Sequence, residues 1–146
     1  MGILAGGVAI AINPADKINA ANDAKVKADL ASLTSAMQTF TASNGGLYPD
    51  LNSPPLLSSG CASGNATTVL GGTGGLVANK EIGSIPIPPS GYGTSYSYCW
   101  DNSATPPKAK IAGNQKKGGT TVIAWCSWMN AVISGASYTL SLNTCP

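Results

Sequence analysis

The sequence predicts an α+β domain in which one long helix is followed by an antiparallel sheet of three or four strands. Three observations predict it: an Ala-rich stretch near the amino terminus has helical periodicity, the middle of the chain carries turn signals, and strand patterns occur only after about residue 94. With 146 residues, the chain has the length of one domain with a single core.

The helix is predicted over residues 15–43. Asn13 can cap its start, Pro14 suits the first helical position, and Asp16 complements the helix dipole. Five apolar residues recur at spacings of four and three, which places them on one helical face: Val26, Leu30, Leu33, Met37 and Phe40. We expect this face to pack on the sheet and Asn44-Gly45-Gly46 to end the helix.

The rest of the chain divides into a long connection and a sheet. Residues 44–93 carry Gly and Pro turn signals and are predicted to form a loop between helix and sheet. Residues 94–146 are predicted to form the sheet and a C-terminal loop. Three stretches in them have strand patterns: residues 96–100, Thr120–Trp128 and Ala136–Asn143. Prolines and a Lys-Lys-Gly-Gly run between the first two predict a long loop there.

Residues 2–12 form an uninterrupted apolar run, GILAGGVAIAI. The run is shorter than the about 20 residues that cross a bilayer, and it lacks the positive segment of a signal peptide. A helix over residues 2–43 would extend ~60 Å, whereas a compact domain of this size has a radius of gyration of about 15 Å. We therefore expect residues 1–14 to protrude as a hydrophobic helix segment that lipid or other copies must cover; the alternative is a buried helix end.

Charge and composition argue against catalysis and against nucleic-acid binding. Only 10% of the residues are charged, the formal net charge is +2, and His is absent. Without imidazole, a Ser-His-Asp triad and a His-ligated zinc site are excluded, and no motif supports another catalytic mechanism. We expect no enzymatic activity, no cofactor and no metal. The weak and scattered positive charge does not favour nucleic acid or an anionic membrane.

Four cysteines favour two structural disulfides and an oxidising compartment. The alternative is four reduced cysteines buried as small apolar groups. No two have the C-x-x-C spacing of zinc or redox motifs, and four cysteines allow three pairings, which the sequence leaves open: Cys61, Cys99, Cys126 and Cys145. If Thr120–Trp128 and Ala136–Asn143 form a simple hairpin, the last two cysteines lie far apart along it.

In this order along the chain, the features resemble the type IV pilins and the pseudopilins of type II secretion. The resemblance is strongest over residues 2–50, where Gly2-Ile3-Leu4-Ala5 opens the apolar run and Asn13-Pro14 precedes the Ala-rich helix. Gly46-Leu47-Tyr48-Pro49 is similar to the "G-x-Y-P" turn at the helix end in this superfamily, and Tyr96-Ser97-Tyr98 resembles its "Y-x-Y" strand element.

The resemblance implies a type IV pilin-like fold and a structural role. Subunits of this family wait in the membrane, are extracted by an ATP-driven assembly machinery, and pack their N-terminal helices into a helical filament of identical subunits. The first part of the family's apolar helix, with a glutamate near its start, has no counterpart in this sequence.

The resemblance also implies roles for the N-terminal residues. Apolar side chains would contact the equivalent helices of other subunits in the filament core: Ile3, Leu4, Val8, Ile10 and Ile12. Family filaments often have a locally unwound segment near the helix proline. Gly weakens helices by ~1 kcal/mol and Pro removes a hydrogen-bond donor, so the residues that suit such a helix break are the following: Gly6, Gly7, Asn13 and Pro14.

We expect the major pilin of an extracellular type IV pilus, anchored in the membrane before assembly. A pseudopilin is the first alternative, but its calcium site would need acids, and Asp101 is the one acid after Gly91. The second is an adhesive or ligand-binding module with an aromatic contact platform: Tyr92, Tyr96, Tyr98, Trp100, Trp125 and Trp128. Lys116-Lys117 would contact nucleic acid only in a pilus that takes up DNA.

Overall fold

A computed structural model describes residues 13–62, 66–115, 122–127 and 131–135. Its elements are α1 (Pro14–Ser43), β1 (Ser59–Ala62), α2 (Ala66–Leu70), β2 (Ser97–Asp101), β3 (Lys108–Asn114), β4 (Val122–Cys126) and β5 (Ala131–Gly135). The strands form one sheet in the order β1-β2-β3-β4-β5, with every neighbouring pair antiparallel, and α1 packs on β3 and β4. The predicted class, a long helix on an antiparallel sheet, is confirmed.

Helix α1 begins with an N-cap and ends in a glycine turn. The Asn13 side chain accepts a hydrogen bond from the Ala15 N–H at 3.1 Å, and Pro14 follows where a missing N–H costs no helical bond. At the other end, Gly45-Gly46 have φ of 65° and 87°, values that favour glycine. The Gly46 N–H donates to the Thr41 carbonyl at 2.9 Å, which closes the last turn.

The core lies between α1 and one face of the sheet. The five α1 residues on the predicted face are all 0% exposed: Val26, Leu30, Leu33, Met37 and Phe40. Alternate residues of the three central strands meet them from the sheet: Tyr98, Trp100, Ala109, Ile111, Ile123 and Trp125. Because side chains alternate between the two faces of a strand, the residues between these point away from α1.

The sheet has five strands rather than the predicted three or four. β3 occupies part of the predicted loop between the first two strands. Five consecutive residues of β3 are buried, so its sequence lacks the alternation of apolar and polar residues by which a strand is recognised. β1 and α2 lie within residues 44–93, predicted to be loop, and they are only four and five residues long. β4 pairs with Ala131–Gly135; the predicted partner strand, Ala136–Asn143, lies outside the described residues.

Gly113 in β3 lies at a close approach of the helix to the sheet. A Cβ atom at this position would lie 2.8 Å from Cε1 of Tyr96 and 3.0 Å from Cγ1 of Val26. Both neighbours are fully buried, so neither side chain has free space to move into. The absence of a side chain at Gly113 therefore sets how closely α1 packs on the sheet.

We predict that Gly113→Ala destabilises the protein by about 2 kcal/mol, because the added methyl group overpacks this contact. The free energy of unfolding in denaturant measures the effect. Gly83→Ala is the matched control: a Cβ there meets nothing within 4 Å, and the change should stay within about 0.5 kcal/mol. Equal stability of the two variants would contradict the close approach at Gly113.

Candidate functional site

Most of the residues predicted for assembly precede the described part of the chain. This holds for the proposed filament-core residues and for the two glycines of the predicted helix break: Ile3, Leu4, Val8, Ile10, Ile12, Gly6 and Gly7. The other two residues of the predicted break are described: Asn13 is the N-cap of α1 and Pro14 is its first residue. The described helix therefore starts at the proline.

The first turns of α1 are exposed. Residues 14–18 are all exposed, including Ile18 at 60% of its surface. The first buried residue of the helix is Asp23, and the first buried apolar one is Val26. The Tyr92 hydroxyl donates to the Asn19 carbonyl at 3.3 Å, so the loop before β2 reaches the helix just after this exposed end. The start of α1 is thus accessible to contacts from outside the domain.

Polar contacts fix the middle of α1 to the sheet and to the preceding loop. The Tyr96 hydroxyl donates to Oδ2 of Asp29 at 2.6 Å. Lys25 forms an ion pair with the same carboxylate and donates to the Ile87 carbonyl at 3.1 Å. Burial, and then the Asp29 carboxylate, raise the pKa of Tyr96 well above its ordinary value. The hydroxyl therefore remains a donor at physiological pH, and the position of α1 along the sheet is held.

A buried carboxylate organises the turn that follows α1. Asp50, 1% exposed, accepts hydrogen bonds from the backbone N–H groups of Asn52 and Leu56 at 2.7 and 3.0 Å. It also accepts from the side chains of Asn52 and Ser58 at 3.0 and 2.9 Å. Burial raises the pKa of Asp50, but these hydrogen bonds together outweigh it and lower the pKa below its ordinary value.

Asn102 ties the same turn to the end of β2. It is 1% exposed, and its amide donates to the carbonyls of Tyr48 and Leu56 at 3.0 and 3.2 Å. Its carbonyl accepts from the Tyr48 N–H at 2.8 Å. Because these contacts satisfy backbone groups on both sides of the turn, the turn has one fixed conformation relative to the sheet.

The turn held by Asp50 and Asn102 presents three leucines to solvent. Leu51, Leu56 and Leu57 are 63%, 54% and 75% exposed. Two backbone groups of this segment, the Leu56 N–H and carbonyl, bond to the buried Asp50 and Asn102, so the chain around the leucines is held in place. We call these three residues the leucine surface.

The sheet face opposite α1 carries a buried lysine. Lys110 of β3 is paired with Cys99 of β2 and with Cys126 of β4, and directly paired residues project to the same face. Its side chain is 0% exposed. Burial lowers the pKa of Lys110 to about 8, since a low-polarity surrounding disfavours the charged form.

The three cysteines among the described residues are disulfide-bonded. Cys61 and Cys99 face each other on β1 and β2 and form a disulfide with an S–S distance of 2.05 Å. Cys126 is disulfide-bonded as well, and Cys145 lies outside the described residues. Structural disulfides persist in oxidising compartments, which favours a location outside the cytoplasm.

The described candidates for an aromatic contact platform are buried. Five of the six candidates are at most 7% exposed: Tyr92, Tyr96, Tyr98, Trp100 and Trp125. The sixth, Trp128, lies outside the described residues. Tyr98 and Trp100 stack at a centroid distance of 5.6 Å, and the Tyr98 hydroxyl donates inward to the Pro49 carbonyl at 2.9 Å. These five side chains belong to the core and do not offer an exposed surface for a ligand.

In the part of the chain that the structure describes, no group of three or more His, Cys, Asp or Glu is placed to hold a metal ion. Neither described helix combines the length and apolar character of a membrane span. Comparisons with protein-family models, with curated proteins and with solved structures give no match.

The sequence interpretation missed three buried polar residues that shape the domain. Asp50 precedes Asn52-Ser53-Pro54, a composition typical of turns in which an Asp side chain accepts from the backbone, so this signal was available. Asn102 and Lys110 carry no such local signal, because their burial results from the packing of distant segments and lysine is rarely buried.

We predict that Asp50→Asn destabilises the protein by about 2 kcal/mol at pH 7, because donors in the turn lose a charged acceptor. The pKa of Asp50 is lowered by folding, so its contribution is present above the unfolded pKa of about 3.9 and is lost as the pH falls through the folded value. Unfolding free energies are measured at pH 7, 5 and 3. The difference between the wild type and Asp50→Asn should become smaller as the pH falls. For Glu81→Gln, the control, we expect no comparable gap. A gap for Asp50→Asn that is independent of pH would contradict this account.

We also predict that the protein becomes more stable between about pH 8 and pH 10. The lowered pKa of Lys110 means that in this window the unfolded lysine holds a proton that the folded one has released, so raising the pH favours folding. Lys110→Met should flatten this rise in the unfolding free energy, whereas Lys27→Met, on the exposed side of α1, should keep it. If the wild type and Lys110→Met showed the same pH slope, the rise in stability would not come from Lys110.

Proposed function

We propose that this protein is a major pilin, the structural subunit of an extracellular type IV pilus that self-assembles through its N-terminal hydrophobic segment. The observation that carries the proposal is the uncharged apolar run of residues 2–12, which leads into a helix whose first turns are exposed. The apolar side chains of this run must be shielded from water, and identical subunits packed side by side would shield them.

The domain architecture supports this proposal. A long N-terminal helix that packs on an antiparallel sheet, with a disulfide between strands, is compatible with a pilin-like fold. α1 buries its apolar face from Val26 to Phe40 and leaves residues 14–18 exposed. Such a division suits a subunit that uses one part of its helix for its own core and offers the other part to an assembly.

The free energy available from the run is large. It contains five branched aliphatic residues: Ile3, Leu4, Val8, Ile10 and Ile12. Burying one such side chain is worth about 1.5–3 kcal/mol, so their burial contributes roughly 10 kcal/mol per subunit. The same free energy of burial would hold the subunit in a membrane before assembly and in the filament core afterwards. Because one surface meets a different surface of the next copy, the contact repeats without closing and gives a helical filament.

The charges favour a pilus over a calcium-binding pseudopilin. Asp101, the one acid after Gly91, accepts hydrogen bonds from the Ser103 N–H and hydroxyl and from the Ala104 N–H at 2.6–3.1 Å. Its carboxylate thus organises a turn. The proposed partners are identical subunits, the pilus assembly machinery and, before assembly, the membrane. The small net charge of +2 gives no support to a nucleic-acid partner.

We predict that Ile10→Asp abolishes filaments while the globular domain stays folded, because a carboxylate in an apolar helix bundle is buried without a partner. Electron microscopy of cells that produce the full chain measures assembly. Circular dichroism and disulfide content of the purified variant report folding.

Ile10→Leu is the matched control: it keeps the apolar volume and should give filaments in normal number. Filaments of normal number and length from Ile10→Asp would defeat the proposal.

A further inference from the structure

One row of residues crosses four strands on the sheet face that points away from α1. Cys61 of β1 is paired with Cys99 of β2, which is paired with Lys110 of β3. Lys110 is paired in turn with Cys126 of β4. Directly paired residues project to the same face, whereas their neighbours along the strands, such as Ile111, belong to the core under α1. We call the face that carries this row the outer face.

The outer face is out of water, although α1 lies on the other side of the sheet. Cys99, Lys110 and Cys126 are 0% exposed, and Ala112 and Ala124 of the same face are 4% and 0% exposed. An alanine on an uncovered sheet face would be in contact with water. The buried apolar residues of α1 and α2 belong to the core on the opposite face, so the outer face has another cover.

The cysteines indicate which segment is this cover. The chain has four cysteines; Cys61 and Cys99 are bonded to each other, and Cys126 is disulfide-bonded as well. Cys145 is the cysteine that remains within this chain as a partner for Cys126. Because the side chain of Cys126 projects from the outer face, a bond to it draws Cys145 to that face.

Such a bond also restricts the path of the chain after β5. Gly135, the last residue of β5, is paired with Val122, at the end of β4 remote from Cys126. Ten residue steps lead from Gly135 to Cys145, and they can span ~33 Å. A further strand beside β5 would place Cys145 about 10 Å from Cys126, whereas the Cα atoms of a disulfide are at most about 7 Å apart. A bond between these cysteines therefore requires the segment to end over the outer face rather than to extend the sheet.

We propose that residues 136–146 lie across the outer face as a strap, pinned by a disulfide between Cys126 and Cys145, and that this strap keeps Lys110 out of water. The strap is independent of the proposed function. Its composition suits the role: it contains no Lys, Arg, Asp or Glu, and its large apolar residues alternate with hydroxyl residues: Tyr138, Leu140 and Leu142. This alternation gives an extended segment one apolar face, which can pack on the alanines of the outer face.

A cover of this kind accounts for the state of Lys110. Apolar side chains over the amine exclude water from it, and burial lowers the pKa of Lys110 to about 8. Opening of the Cys126–Cys145 bond would free the strap and return Lys110 to solvent. The disulfide thus controls whether this face of the domain is exposed.

Disulfide mapping of the unreduced full chain tests the bond. Chymotrypsin cleaves after Trp128 and Tyr138, so digestion separates Cys126 from Cys145 unless a disulfide joins them. We expect mass spectrometry to find the two peptides joined and a non-reducing gel to show a single chain. A Cys126 that is joined to another cysteine or to a second chain, or that is a free thiol, would overturn the strap.

Acetylation of amines by an N-hydroxysuccinimide ester tests the cover. In the wild type, Lys110 should react several-fold more slowly than Lys27, which is exposed on α1. Leu140→Asn and Cys145→Ser should each raise the rate at Lys110 several-fold, because the strap loses an apolar contact or its bond. Ser141→Asn is the matched control at the alternate position and should leave Lys110 protected. Circular dichroism and the bond between Cys61 and Cys99 should be unchanged in all three variants.

Two results of the acetylation would contradict the cover. One is a Lys110 in the wild type that reacts as fast as Lys27, and the other is a rate at Lys110 that stays slow in both Leu140→Asn and Cys145→Ser. The disulfide map and the wild-type rates require no variant, so they decide the matter even where a variant fails to fold. Filament assembly is measured separately, and neither result changes the expectation for it.

Discussion

The difference in length between α1 and the strands is the constraint on which the architecture depends. α1 has 30 residues and is about 45 Å long, whereas β3, the longest strand, has seven residues and spans about 23 Å. The sheet can therefore cover only part of the helix. The apolar residues of α1 follow this limit: the fully buried ones run from Val26 to Phe40, while residues 14–18 are exposed.

Polar contacts then decide where along the helix the sheet lies. Tyr96 and Lys25 both bond to Asp29, and they hold β2 and the preceding loop against the middle of α1. Asp50 and Asn102 fix the chain beyond its end. Apolar packing alone tolerates sliding of a helix over a sheet, whereas hydrogen bonds of defined geometry do not. Both anchors lie downstream of residue 22, whereas residues 14–18 at the start of the helix are exposed.

Patterns within short stretches of the sequence were enough to predict α1 and β2. The spacing of Val26, Leu30 and Leu33 and the Asn13-Pro14 cap predicted α1, and the alternating aromatics predicted β2. β3 was missed because both of its faces are buried and because Lys110, a residue typical of surfaces, lies at 0% exposure within it. The pairing of Cys61 with Cys99 depends on β1, a strand that exists through its pairing with β2 and has no period of its own.

The exposed and apolar parts of the chain differ in the same way: the apolar run is visible in the sequence, whereas the position of the exposed leucines depends on the buried contacts of Asp50 and Asn102. An exterior with few charges is a liability for a free subunit, since charge keeps monomers soluble and apart. This chain has 10% charged residues, exposes three leucines in the turn after α1 and carries an uncharged apolar run at residues 2–12. Each of these features raises the free energy of an isolated molecule in water, and each is relieved when neighbours cover it. A subunit in a filament is surrounded by such neighbours. The composition that disfavours a soluble enzyme is therefore the one that the proposed assembly requires.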